Sequence, residues 1–230
     1  MKSTQKKQVM KNMPVPRCAL VLIVVVTLVC APVGGWTAPS ALIQIPTAEV
    51  IGPGDACLDV AGAVPTEGDS HLSDWVLESD FGLTGGIELG FDTLLNTLDN
   101  GAFFVKKMTE ECGGFASAVG VNGIGFNGEP WNPYVVASSK TSPLRVHLGF
   151  DYAEPDWRAM VGFDYAASRD LTWMADWISG DEGAWSAGFN LAFGARREWG
   201  LMGGLIHENS TEQELIYVNV ACTLSLRTRD

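Results

Sequence analysis

Basic residues are scarce and unevenly placed. Of the 15 Lys and Arg in 230 residues, five lie in the first 17, while Asp and Glu total 27, giving a formal net charge of −12. A chain of that sign repels phosphate backbones, which excludes a nucleic-acid binder. Charged residues of both signs reach only 18 % and apolar residues 47 %, a balance that excludes a disordered chain. No Walker loop, GxSxG, HExxH or Rossmann glycine pattern occurs, so no common catalytic or nucleotide-binding signature is present. No CxxC and no Cys/His spacing points to zinc. No segment after residue 40 carries a long helical period. Glycine and aromatics, by contrast, are plentiful: 26 Gly, 10 Phe, 8 Trp and 4 Tyr.

The first 38 residues read as an address. Lys2, Lys6, Lys7, Lys11 and Arg17 precede an almost wholly apolar run from Cys18 to Val33. A basic region followed by a short apolar one is a secretory signal peptide, and about 16 apolar residues fall short of the roughly 20 a spanning helix needs. Cleavage is expected within 31–38, since both Val29-Cys30-Ala31 and Val33-Gly34-Gly35 satisfy the small-x-small rule. An uncleaved anchor and a lipoprotein at Cys30 are the alternatives. Cleavage would leave ten Lys and Arg against 27 acids, a net of −17, and the cysteines Cys57, Cys112 and Cys222. These three read as small apolar strand residues in preference to a disulfide pair.

Residues 39–230 are expected to form a single β-domain. Leu144, Val146, Leu148, Phe150 and Tyr152 alternate with Arg145, His147, Gly149 and Asp151, the period-2 mark of a strand with unlike faces. The pattern recurs in Trp157–Tyr165, Leu171–Trp177, Trp185–Phe193 and Ile216–Leu226, and more briefly in Ile87–Phe91. Ala56–Val64, Leu72–Phe81, Ala102–Met108, Phe115–Asn122, Tyr134–Ser139 and Leu201–Ile206 complete about 12 strands with meander-like spacing. Thr93–Leu98 reads as loop and 207–213 as a turn. Gly-Phe-Asp-Tyr-Ala occurs at both 149–153 and 162–166, each time with Phe on the apolar face and Asp on the other.

A secreted sandwich and a membrane barrel both alternate, and the polar face separates them. A sandwich shows water a Lys/Glu/Thr-rich face. Here that face carries Gly149, Gly162, Gly188, Ala192 and Gly194, small residues suited to a narrow lumen. Trp157 and Tyr165, like Trp185 and Phe193, lie eight residues apart on the apolar face. That is about 26 Å along a strand, close to the ~25 Å band between aromatic girdles. The fold expected is therefore all-β, an antiparallel up-and-down transmembrane β-barrel of about 12 strands. The alternative is a secreted or periplasmic β-sandwich or barrel that binds a ligand or partner.

The stretch Pro39-Ser40-Ala41-Leu42-Ile43-Gln44-Ile45-Pro46-Thr47-Ala48-Glu49-Val50 resembles the start of the YjbH-like family of bacterial outer-membrane barrels. Gly82–Gly90, Thr93-Leu94-Leu95-Asn96, Phe115–Gly123, Tyr134–Lys140 and Val146–Phe150 match further pieces in order, spanning most of 39–195. The better-known members are much longer, so the resemblance implies a short, single-barrel relative. It implies residence in the bacterial outer membrane, contact with membrane lipid and the barrel-insertion machinery, and a link to exopolysaccharide or capsule export and its partners. It carries over no catalytic residue and no cofactor.

One constellation stands out on the polar face: Arg145, His147, Asp151, Arg158 and Asp164. It is a candidate lumen charge cluster, read first as an interior network that fixes the barrel. Setting ion or substrate preference is the second reading, and a His–Asp acid–base pair the remotest. His207-Glu208 reads as solvated loop. Acids from Asp55 to Asp80 lack EF-hand or nonapeptide spacing. The expectation is thus a non-enzymatic barrel with no cofactor or metal and a structural or passive porin-like role.

Overall fold

Alternation over 8–13 residues fixes which side of each strand meets water, and twelve such strands in sequence can close on themselves. In the computed structural model the described residues are 41–67, 75–95, 101–109, 114–125 and 131–226, all within one compact unit, 32–230. The expected signal segment and Cys112 lie outside them.

The strands are β1 (Asp55–Pro65), β2 (Val76–Leu83), β3 (Ile87–Leu94), β4 (Gly101–Met108), β5 (Phe115–Gly125), β6 (Asn132–Ser139), β7 (Leu144–Ala153), β8 (Asp156–Ala166), β9 (Leu171–Ile178), β10 (Ala184–Phe193), β11 (Trp199–Glu208) and β12 (Gln213–Ser225). Each pairs antiparallel with its sequence neighbours, and β1 closes on β12 from Asp55↔Ser225 to Pro65↔Leu215. A closed sheet has no second sheet to pack on, which rules out the sandwich. Thr93 and Leu94 belong to β3, and His207 and Glu208 to β11, so the loop and turn expected there are shorter. Cross-strand pairing of His207 with Glu214 and Glu208 with Gln213 carries the ladder past the end of the apolar alternation.

One irregularity is local. Between β4 and β5 the register shifts after Phe103↔Ile124 to Val105↔Val121, leaving Asn122 and Gly123 opposite Phe104. Gly123 sits at φ 71°, the left-handed conformation in which glycine alone is unstrained and which a bulge of this kind requires.

The outward face is apolar all round. Trp157 is 65 % exposed, Phe150 55 % and Trp173 51 %, with Phe115, Leu148, Phe163 and Leu205 among many others open to the surroundings. Tyr152 packs on Trp157 toward one end of the barrel, and Phe193 stacks on Trp199 toward the other. Water does not tolerate such a surface on a monomer; a bilayer does, and the strand lengths match its thickness. The chain is folded as a membrane-spanning barrel. His207, expected in a solvated loop, instead points outward and stacks on Trp185, ring centroids 5.5 Å apart.

Candidate functional site

Among the described residues, side chains of unlike chemistry converge in the lumen. It also holds a length of chain. Residues 41–53 precede β1 and form none of the wall. They turn at Ala41–Pro46, where Leu42 N–H donates to the Ile45 carbonyl at 2.9 Å, and then run through the interior. Leu42, Ile43 and Ile45 are buried against Met160, Met174, Met202 and Ile206. Gly162 makes room for this: a Cβ there would overlap the side chains of Leu42 and Ile45.

An extended segment inside a barrel needs acceptors for its amides. The wall supplies them from three strands. Gln44 N–H donates to Asp176 Oδ2 on β9 at 2.8 Å, Ala48 N–H to Ser138 Oγ on β6 at 2.8 Å, and Ile51 N–H to Glu88 Oε2 on β3 at 2.7 Å. Asp176 is itself held by the Ser186 hydroxyl from β10. Residues 41–50 fall within the first piece of the family resemblance, and the segment's place in the lumen had no signal in the period of the sequence.

All five residues of the expected cluster face the lumen, in two groups. In the first, Arg145 donates from Nε to both Asp164 oxygens at 2.9 Å and approaches Oδ2 from Nη2 at 2.6 Å. Arg145 Nη1 reaches Glu49 of the lumen segment at 2.7 Å. His147, 0 % exposed, stands between Asp164 (Nε2 to Oδ2, 3.0 Å) and Ser138 (Nδ1 to Oγ, 2.7 Å). Ser138 Oγ also accepts from the Ala48 amide, so one hydroxyl joins the lumen segment to the imidazole. In the second group, Asp151 and Arg158 form an ion pair across the β7–β8 hairpin. Ser138 and Glu49 were not foreseen, because neither shares a strand with the cluster.

Ser138, His147 and Asp164 bring the three residue types of a hydrolytic triad together. Such a triad needs its hydroxyl open to substrate. Ser138 is fully buried and covered by the Ala48 amide, so this geometry fastens the lumen segment.

The opposite wall differs. Asp59 of β1, Glu78 and Asp80 of β2 and Asp92 of β3 border a cavity of about 490 Å³, together with Tyr134, Tyr217 and Asn122. Asn219 donates to Asp59 at 3.0 Å, and Asp80 Oδ1 is buried without a hydrogen-bond partner. The one cation among the described residues lining this cavity is Lys106, 3.0 Å from Glu88 and almost fully enclosed. These acids looked scattered in the sequence; inward alternation on three adjacent strands gathers them. Among the described residues no group of three or more His, Cys, Asp or Glu is arranged to hold a metal ion. Cys57 lines the cavity, whereas Cys222, paired with outward Trp199, lies on the other face of the sheet, so the two cannot form a disulfide.

A closed antiparallel barrel with an apolar exterior, a polar lumen and an internal constriction belongs to the class of porin-fold β-barrels. The chain is similar to the solved KdgM porin, at 12 % identity and TM-score 0.54 over 72 % of this chain and 98 % of that one. It is similar to the KdgM porin in complex with disordered oligogalacturonate, at 12 % identity and TM-score 0.53 over the same shares. The NanC porin matches at 16 % identity and TM-score 0.53 over 73 % and 98 %. No protein-family model matches the sequence, and no curated protein does.

Proposed function

We propose that this protein resides in the bacterial outer membrane as a porin-like barrel, a passive conduit that its own segment 41–53 narrows and whose acidic wall favours small cations and neutral solutes over anions. The observation that carries the reading is the pairing of an all-round apolar exterior with a lumen cavity bordered by Asp59, Glu78, Asp80 and Asp92. Carboxylates lining a passage with low-dielectric walls raise the local cation concentration and oppose anions. KdgM is described with oligogalacturonate, a polyanion. An acidic lumen opposes that class of solute, so the substrate differs even where the fold agrees.

Residues 1–38 would direct export, and the barrel-insertion machinery would place the strands in the membrane. The resemblance to YjbH-like barrels supports a link to envelope polysaccharide, and its first piece, 39–50, overlaps the segment 41–53 that occupies the lumen. A saccharide handled here would be neutral or cation-bearing. The charge cluster Arg145, His147, Asp151, Arg158 and Asp164 serves mainly as scaffold for that segment.

Envelope fractionation tests the membrane reading. The chain is expected in the outer-membrane fraction, with gel mobility that changes on heating. In a planar bilayer under a KCl gradient, the reversal potential should have the sign of cation preference. A water-soluble product, or anion preference, would overturn the proposal.

A further inference from the structure

The cavity between the lumen segment and β1–β3 is richer in hydrogen-bond acceptors than in donors. Asp80 Oδ1 on β2 is buried with no hydrogen-bond partner, and so are Gln44 Oε1 and Glu49 Oε2 on the segment that borders the same cavity. The donors nearby are engaged by named acids. Lys106 meets Glu88 at 3.0 Å, Arg145 holds Glu49 Oε1 and Asp164, and Asn219 donates to Asp59. An ammonium group carries three donors and no acceptor, so it complements this lining from both sides. A hydroxyl brings one donor together with its own lone pairs and complements it less well.

Two aromatic rings point the same way. Phe104 of β4 and Tyr134 of β6 border the cavity, and each ring lies over a glycine paired with it on the next strand, Gly90 and Gly120. A Cβ on either glycine would overlap the ring. The rings are thus laid along the wall, and a ring face attracts a cation. Leu42, Pro46 and Val50 of the segment add apolar lining. The carboxyl groups are not arranged to hold a metal ion, so a bare ion gains less here than a ligand with N–H donors and a carbon body. The cavity, about 490 Å³, lies within the range of roughly 300–1,000 Å³ usual for small-molecule sites.

We propose that this cavity binds small organic cations bearing primary ammonium groups, their N–H donors on Asp80, Gln44 and Glu49 and their carbon chain against Phe104 and Tyr134. The inference rests on the conduit reading above and names the class of solute its acidic wall selects.

The test is isothermal titration calorimetry on the full barrel in detergent. The probes are 1,4-diaminobutane, 1,4-butanediol, which has the same length without charge, and tetramethylammonium, which has charge without N–H donors. The diamine should bind at least about tenfold more tightly than either, the size of a charge-assisted hydrogen bond. Asp80→Asn/Gln44→Leu should weaken diamine binding about tenfold. Gln44→Leu alone, which keeps the backbone bond to Asp176 and leaves the wall untouched, should weaken it about threefold. Each variant should keep heat-modifiable gel mobility, so that lost binding is not lost folding. Equal binding of the diol or of tetramethylammonium, no binding of the diamine, or unchanged affinity in both variants would each overturn the inference. A heat-modifiable, cation-preferring barrel that does not favour the diamine sinks this site alone. A water-soluble chain, or anion preference in a bilayer, sinks the conduit reading beneath it.

Discussion

The two sides of the lumen handle charge in opposite ways. On β6–β9, Arg145, His147 and Asp164 interlock with Ser138 and Glu49, and Arg158 pairs with Asp151. Each cation there has a named acid and the lumen segment is fastened to the same groups. On β1–β3, Asp59, Glu78, Asp80 and Asp92 face a cavity, and Lys106 is already engaged by Glu88. Buried charge that is paired and hydrogen-bonded is held in one arrangement. Acids that border a cavity without a matching cation act on whatever enters it. One wall is built for position and the other for field.

The largest expected difference follows directly. Asp164→Asn removes the acid that Arg145 and His147 share and leaves Arg145 with Glu49 alone. Breaking a fully buried ion pair from one side costs about 3–5 kcal/mol; with Glu49 still in place and Arg145 partly exposed a loss of about 2–3 kcal/mol is expected, and unfolding in urea from lipid bilayers should shift accordingly. Asp80→Asn on the other wall removes an acid whose buried Oδ1 has no hydrogen-bond partner and whose nearby cation, Lys106, stays paired with Glu88; it should cost less than about 1 kcal/mol, or raise stability. Equal losses would erase the distinction between the walls.

Lys106 sharpens the boundary. It is the exception on the acidic side, 1 % exposed and set against Glu88 at 0 %, while Glu88 also accepts from Ile51. Lys106→Met should cost about 3 kcal/mol by stranding Glu88. In Lys106→Met/Glu88→Gln most of that loss should return, because the amide oxygen still accepts from Ile51 and no buried charge remains. A double-mutant cycle in the same unfolding assay measures the coupling. Additive losses would mean that the pair contributes little.

Much of this architecture was legible because period 2 is a strong signal when the two faces differ in chemistry. Leu144–Tyr152 against Arg145–Asp151 gave both the strand and its inward side, and the small residues Gly149, Gly162 and Gly188 marked that side as enclosed. Two parts were not legible. Residues 41–53 are apolar at Leu42, Ile43 and Ile45 without alternation, and their anchors Asp176, Ser138 and Glu88 lie on strands 37 to 132 residues away. The acid wall depends on closure. Asp59, Glu78 and Asp92 become neighbours through the registers Asp59↔Glu78 and Glu78↔Asp92, which linear spacing does not display.

The field of the acidic wall is open to a milder test. Asp59→Asn/Glu78→Gln/Asp80→Asn/Asp92→Asn keeps shape and replaces the four carboxyl groups on one side of the cavity with amides. Cation preference, read from the reversal potential under a salt gradient, should fall severalfold while folding is retained. The paired exchange Asp151→Asn/Arg158→Gln changes no net charge and should leave the reversal potential nearly unchanged. If the paired exchange moved it as much, selectivity would reside in the network of β7 and β8.

The smallest effect expected is at Ser138, yet it bears on what the positioned wall is for. Its hydroxyl accepts from the Ala48 amide and shares a hydrogen bond with His147 Nδ1, so it joins the lumen segment to the charge group through one atom. Ser138→Ala deletes both bonds, while Gln44 and Ile51 stay anchored at Asp176 and Glu88. A loss of about 1–2 kcal/mol is expected, that of a buried hydrogen bond with one partner left unsatisfied. The segment should then be tethered at its two ends and loose at its middle. In single-channel recordings this predicts more frequent current fluctuations with little change in mean conductance. Deleting 41–51 should instead raise the mean itself. If Ser138→Ala left the current trace unchanged while that deletion still raised conductance, the Asp176 and Glu88 anchors would suffice to hold the segment. The Ser138–His147–Asp164 group would then serve the wall alone.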